Sequence, residues 1–163
     1  MHDIIWAPWR QAYIEQVVQA TGGRKKCFLC AHARTRDLAG HYVLSRDRDC
    51  LTTMNLFPYN SGHLLIAPIR HVADLSKLST REQQALLKHL GVAMAALKKS
   101  LRPHGFNVGL NLGRAAGAGV ADHIHLHVVP RWNGDTNFMP ALSHCKVMPE
   151  SLNDTYRKIK KHM

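Results

Sequence analysis

Three histidines alternate with apolar residues in His123-Ile124-His125-Leu126-His127-Val128-Val129-Pro130. In an extended strand, side chains at i, i+2 and i+4 share one face. The spacing therefore predicts a row of three imidazoles, with Ile124, Leu126 and Val128 on the opposite, core-facing side. Imidazole changes charge near neutral pH, so such a row can supply a nucleophile, a hydrogen-bond donor and a proton carrier. The plain alternative is a half-buried strand that happens to be rich in histidine. Against it, three partly desolvated rings in register are costly unless each finds a partner. A third reading, a catalytic metal ion held by the three rings, has only Asp122 nearby as an acidic companion.

The stretch feeding into this strand is Asn111-Leu-Gly113-Arg-Ala-Ala-Gly117-Ala-Gly119-Val120. Three glycines in seven residues permit positive φ and close approach to a bulky ligand. Backbone N–H groups in such a turn can cradle an anion, with Arg114 adding charge. A flexible loop has the same composition, but this position favours phosphate. Downstream, Arg131-Trp132-Asn133-Gly134-Asp135 offers Trp132 for stacking on a purine or for covering the core, and Arg131 for a phosphate or a carboxylate. Asn55 and His63, at either end of an earlier turn, can contact hydroxyls or phosphate, or can simply stabilise that turn. Cys27-Phe28-Leu29-Cys30 reads in a reducing compartment as a metal or redox pair, although a zinc site needs two further ligands. Cys50 and Cys145 carry no such pattern and read as structural.

Several elements must position these groups. Residues 10–20 place Tyr13, Val17 and Ala20 at helical spacing before Gly22-Gly23. Residues 31–48 are polar apart from Tyr42-Val43-Leu44. Leu51 to Leu56 and Gly62 to Pro68 read as strands of a hairpin, because the Pro, Asn and Gly between them suit a turn. Residues 80–101 form the clearest helix, with Thr80 as cap, Gln83 completing a capping box, and an apolar stripe of Ala85, Leu86, Leu90, Ala93, Met94, Leu97 and Leu101. Phe106 to Leu112 and His123 to Pro130 read as two more strands, and residues 148–161 as a final helix. Strands and helices come in blocks rather than alternating, so the class is α+β with a mainly antiparallel sheet.

The 163 residues fit one domain spanning 1–163, and 45% hydrophobic with 20% charged residues is ordinary for a globular protein. No apolar run approaches the roughly 18 residues that span a bilayer. The opening residues lack the build of a signal peptide, so a cytoplasmic location is expected. A formal charge of +11 draws polyanions, and salt-sensitive nucleic-acid binding is the non-enzymatic alternative. No familiar nucleic-acid motif accompanies it.

Taken together, the motifs resemble the histidine triad superfamily of nucleotide hydrolases and transferases, in the bacterial branch similar to diadenosine tetraphosphate phosphorylases. The residues carrying the resemblance are Trp6-Ala-Pro-Trp-Arg10 with Tyr13, Asn55 to His63, Pro103 to Gly113, the triad, and Pro130 to Phe138. It implies a HIT-like α+β fold: a half-sheet of about five antiparallel strands flanked by helices and paired with a second subunit as a homodimer. His125 would be the nucleophile on a nucleotide's α-phosphorus, with His127 and His123 completing the catalytic row. Asn111 would hold phosphate oxygens, Asn55 the ribose hydroxyls, and His63 would sit near the phosphates. Gly117 and Gly119 would offer N–H groups, Gly119 standing where many relatives carry Ser or Thr. The implied substrates are dinucleoside polyphosphates or AMP conjugates, with phosphorolysis of diadenosine tetraphosphate or water-dependent phosphoramidase chemistry as the two outcomes. No cofactor is implied for catalysis. Some members bind zinc, and Cys27, Cys30, His71 and His123 would form a closed structural Cys2His2 set here.

Overall fold

The computed structural model describes residues 27–137 and 147–163. The helix expected over residues 10–20, the Trp6–Arg10 block, Phe138 and Cys145 lie outside the described residues. In chain order the elements are α1 (Phe28–Arg34), β1 (Val43–Arg46), β2 (Cys50–Met54), β3 (Leu64–Pro68), a 3-10 turn (Leu75–Lys77), α2 (Thr80–Leu101), β4 (Gly105–Leu110), β5 (Leu126–Arg131) and α3 (Leu152–Lys160). The sheet runs β1-β2-β3-β5-β4, and every neighbouring pair is antiparallel. The α+β expectation holds, with five strands.

The β2–β3 register sets Leu51 opposite Ala67, Thr53 opposite Leu65, and Met54 opposite Leu64. On one face Cys50, Met54, Leu64, Ile66, Ile124 and Val128 join Ala93, Ala96 and Leu97 of α2 and Ile159 of α3 in the main core. On the other, Leu51 and Ala67 pack against Leu29 of α1, Cys27 and Cys30. Both faces are covered, which is why β2 and β3 are buried along their whole length. Two buried histidines tether the layers to adjacent threonines that point to opposite sides. Thr52 meets His89 of α2 at 2.9 Å, and Thr53 meets His32 of α1 at 3.2 Å.

The long helix begins one residue earlier than its sequence signal suggested. Ser79 accepts the Glu82 N–H and Glu82 accepts the Ser79 N–H, so the capping box uses Ser79 and Glu82, not Thr80 and Gln83. Both pairs fit the pattern, but a carboxylate is the stronger acceptor, and Glu82 also receives two bonds from Arg70. That Arg70 pairing holds the Glu82 carboxyl down at about 2. The polar stretch 31–48 yields most of α1 and β1. Strand β5 starts only at Leu126, so His123 and His125 precede the hydrogen-bonded ladder. Among the described residues no helix is long and apolar enough to cross a membrane.

Candidate functional site

The three triad histidines occupy two linked environments rather than one uniform row. His123 is fully buried, and its Nε2–H donates to the Pro68 carbonyl at 2.9 Å. A carbonyl only accepts, so the lone pair lies on Nδ1, which faces Cys27 Sγ at 3.3 Å and Cys30 Sγ at 3.5 Å. His71 brings Nδ1 to 3.2 Å from Cys30 Sγ, while its Nε2 lies 3.5 Å from the Asp122 carboxylate. The four donor atoms fall within 4.8 Å of one another. Tetrahedral zinc with ordinary Zn–S and Zn–N bonds separates S from N by about 3.6 Å, so the cluster is the right size for a metal ion. The outward partners also fit, since a carbonyl on His123 and a carboxylate on His71 turn the ligating nitrogens inward. Desolvation pushes the Cys27 thiol up to about 11 and His123 down to about 4.

The metal-type cluster touches the second histidine directly. His125 Nδ1–H donates to the backbone carbonyl of His123 at 2.8 Å. That bond fixes the proton on Nδ1 and leaves the lone pair on Nε2, the form a nucleophile requires. The side chain is nearly enclosed, at 5% exposure, and burial lowers its pKa, which favours the neutral ring. Its ring centroid lies 4.9 Å from that of His127.

His127 is governed by the β2–β3 turn. His63 Nδ1 accepts the Tyr59 backbone N–H at 3.1 Å, and the Asn55 Nδ2 atom lies 3.2 Å away. The Asn55 amide is oriented by its Oδ1, which accepts the Phe57 N–H. A neutral His63 must then carry its proton on Nε2 and donate it to His127 Nδ1 at 2.9 Å. His127 in turn is left with an Nε2–H donor; Asn111 Nδ2 lies 3.4 Å from that nitrogen, and because two donors cannot pair, the Asn111 amide must turn its Oδ1 toward His127 to accept that proton. Burial drives His63 down to about 3, reinforced by the neighbouring imidazoles, so that ring stays neutral at physiological pH. Tyr59 also stacks on His127, with centroids 5.8 Å apart and planes 10° from parallel.

Three of the expected site residues have defined surroundings. His63 is fully buried and reaches His127 through its Nε2. Gly117 has the positive φ expected of a loop glycine, +82°, but its N–H donates to the Arg114 carbonyl at 2.9 Å. That bond shapes the loop. Trp132 lies five residues beyond His127 along and past β5, about 16 Å at strand rise, in a turn closed by Asp135. Asn111, Asn55 and the Cys27, Cys30, His71 and His123 set are assembled, and half-buried Gly119 lies in the loop that leads to the triad. The sequence did not point to Tyr59 as a partner of these rings, and Asp122, noted there only as an acidic companion of the triad, pairs with His71 instead. A tyrosine four residues before a histidine, in a turn rich in Pro and Gly, was the available signal for the first.

With this geometry in view, the comparisons are direct. The HIT domain family matches residues 39–134. The chain belongs to the HIT domain family. A protein of Mycobacterium tuberculosis named AP-4-A phosphorylase is 46% identical over 115 residues, 71% of this chain and 59% of that protein. The chain thus aligns with less than two thirds of that relative's length. An uncharacterized HIT-like protein of Saccharolobus solfataricus is 32% identical, covering 69% of this chain and 79% of its own. Among solved structures, a zinc-bound histidine triad family protein from Mycobacterium smegmatis superposes with a TM-score of 0.67 at 26% identity. That match covers 86% of this chain and 94% of the other. These HIT relatives agree with the five-stranded architecture described above.

Proposed function

We propose that this HIT protein cleaves dinucleoside polyphosphates or related nucleotide conjugates at the α-phosphorus through a nucleotidyl bond to His125. The observation that carries the reading is the fixed tautomer of His125, proton on Nδ1 and lone pair on Nε2, beside a His127 whose Nε2 carries a proton. Nε2 attacks phosphorus, and the bond from phosphorus to the bridging oxygen breaks, its electron pair leaving with the departing polyphosphate. His127 Nε2–H, Asn111 and the Gly119 backbone meet the phosphate oxygens, where charge develops. Asn55, beside this relay, is the candidate for ribose contact. The 46% identity to a protein named for diadenosine tetraphosphate phosphorolysis supports that substrate. With diadenosine tetraphosphate the first step releases ATP. Inorganic phosphate then yields ADP, and water would yield AMP.

The test is incubation with diadenosine tetraphosphate, with and without phosphate, together with mass measurement of the acid-quenched protein. ATP and ADP forming only with phosphate supports phosphorolysis, whereas ATP and AMP support the hydrolytic branch. A His125→Ala variant that retains turnover defeats both.

Zinc is the ion we assign to the Cys27, Cys30, His71 and His123 cluster. All four donors are protein side chains, so a tetrahedral ion there has no open position and serves structure. The three described cysteines are free thiols, which suits a reducing, cytoplasmic setting. Among the described residues strand β4 forms one edge of the sheet, with Val108 42% exposed and Leu112 just beyond it 51% exposed. An unpaired, partly apolar edge of this kind supports pairing with a second copy as a homodimer, which sedimentation would test.

A further inference from the structure

The β3–β5 ladder is short. Leu64, Leu65 and Ile66 pair with Val128, His127 and Leu126, and no pairing continues toward the β2–β3 turn. Beyond Leu64, side chains take over. Asn60, 6% exposed, donates from Nδ2 to the Pro130 carbonyl at 3.1 Å and to the Asp135 carboxylate at 2.8 Å. The Asn60 backbone carbonyl accepts the backbone N–H of His63 at 3.1 Å. The Asp135 side chain is only 7% exposed. It receives four donors: Asn60 Nδ2, Arg131 Nε at 2.6 Å, Arg131 Nη2 at 2.9 Å and the Trp132 N–H at 3.1 Å. Arg131 in turn is braced by Asn107 of β4 at 2.6 Å. The turn also sits close against its surroundings. A Cβ on Gly62 would lie 2.5 Å from Leu101 and 3.4 Å from Pro130.

We propose that Asn60 and Asp135 form a clamp that holds the β2–β3 turn against β5, and that Asp135 is thereby a positioning residue for the His63–His127 pair. The arginine is held on this carboxylate through both Nε and Nη2. A carboxylate is required because four donors converge on it. An amide there has one acceptor oxygen and would turn its own N–H groups toward donors. With the clamp opened, the Tyr59–Asn60 backbone is free to drift, and the bond that fixes the His127 proton loosens with it. A displacement of about 1 Å in such a support costs on the order of 100-fold in rate.

This inference rests on the function proposed above, so its test has one arm that does not depend on turnover. Asp135→Asn is compared with the natural protein by NMR, following solvent exchange of the His63 ring proton, and by kcat and KM on diadenosine tetraphosphate. The expected result is exchange faster by about 10-fold or more, with kcat down about 10- to 100-fold and KM within about 2-fold. Asn60→Ala gives the same phenotype, and the double variant is no worse than either single one, because the two residues act as a unit. Asn60→Ala also keeps the test available if Asp135→Asn does not fold. Natural exchange and natural kcat in both variants overturn the clamp. So does a loss of activity matched by an equal loss of folded protein, which is a structural role only. If the natural protein forms no nucleotidyl-histidine, the functional reading fails while the exchange comparison still decides the clamp.

Discussion

Replacing His63 by Phe separates two contributions that the structure joins in one ring. The folded pKa of His63 is about 3 against an ordinary 6.5, chiefly because the ring is buried. Above pH 6.5 neither the folded nor the unfolded chain protonates it. As pH falls from 6.5 toward 3, the unfolded chain takes a proton that the folded chain refuses, so stability present at neutral pH is lost on acidification. At pH 5 the ring is 1.5 units below its ordinary pKa, which at 1.36 kcal/mol per unit is a loss of about 2 kcal/mol. Phe keeps the aromatic volume and cannot titrate. It leaves the Tyr59 N–H and His127 Nδ1 without their partner, at about 1–3 kcal/mol for each buried group regardless of pH. The natural protein should therefore lead the variant at pH 7.5, with the gap narrowing by about 2 kcal/mol by pH 5. Urea unfolding of both proteins at pH 7.5, 6.5, 5.5 and 5 measures this directly, because every other titrating group is common to the two. A gap that stays constant within about 0.5 kcal/mol across that range would refute the reasoning.

His89 donates Nε2–H to Asp47 at 3.1 Å and accepts the Thr52 hydroxyl on Nδ1, so Thr52→Val should cost about 1–3 kcal/mol by leaving that nitrogen unpaired; an unchanged urea midpoint would contradict it. Ser79→Ala should lower stability by about 1 kcal/mol, whereas Thr80→Ala changes it by less than half that, as paired thermal melts would show. Asp122→Asn should weaken zinc affinity about 10-fold or more in a competitive chelator titration, with the Cys27, Cys30, His71 and His123 donors intact; equal affinity would remove Asp122 as the group orienting His71.

Much of this architecture is written in local pattern. The alternation from Ile124 to Val128 places its apolar members in the core, as a two-residue period requires, and the stripe on α2 does the same at helical spacing. The cysteine pair and its two histidine companions also emerge from residue type and resemblance. What local pattern does not carry is which of several equivalent partners wins. Ser79 and Thr80 each open a capping box, and only the arginine across the turn favours Glu82 over Gln83. Arg131 was open to phosphate or carboxylate until Asp135 folded back onto it. The contact of His63 with His127 was not legible locally, because its partner on β5 lies more than 60 residues away in the chain.

Gly62 has a consequence for how the hairpin finds its alignment. Its φ is +75°, a left-handed value that the flanking Ser61 and His63 would adopt only with strain, and its missing Cβ leaves room for Leu101. A slip of one residue between β2 and β3 would push a side chain into that slot and turn His63 away from β5 altogether. One hydrogen atom in place of a side chain thus selects the strand alignment from among its near neighbours, and misaligned hairpins are penalised before any substrate is met.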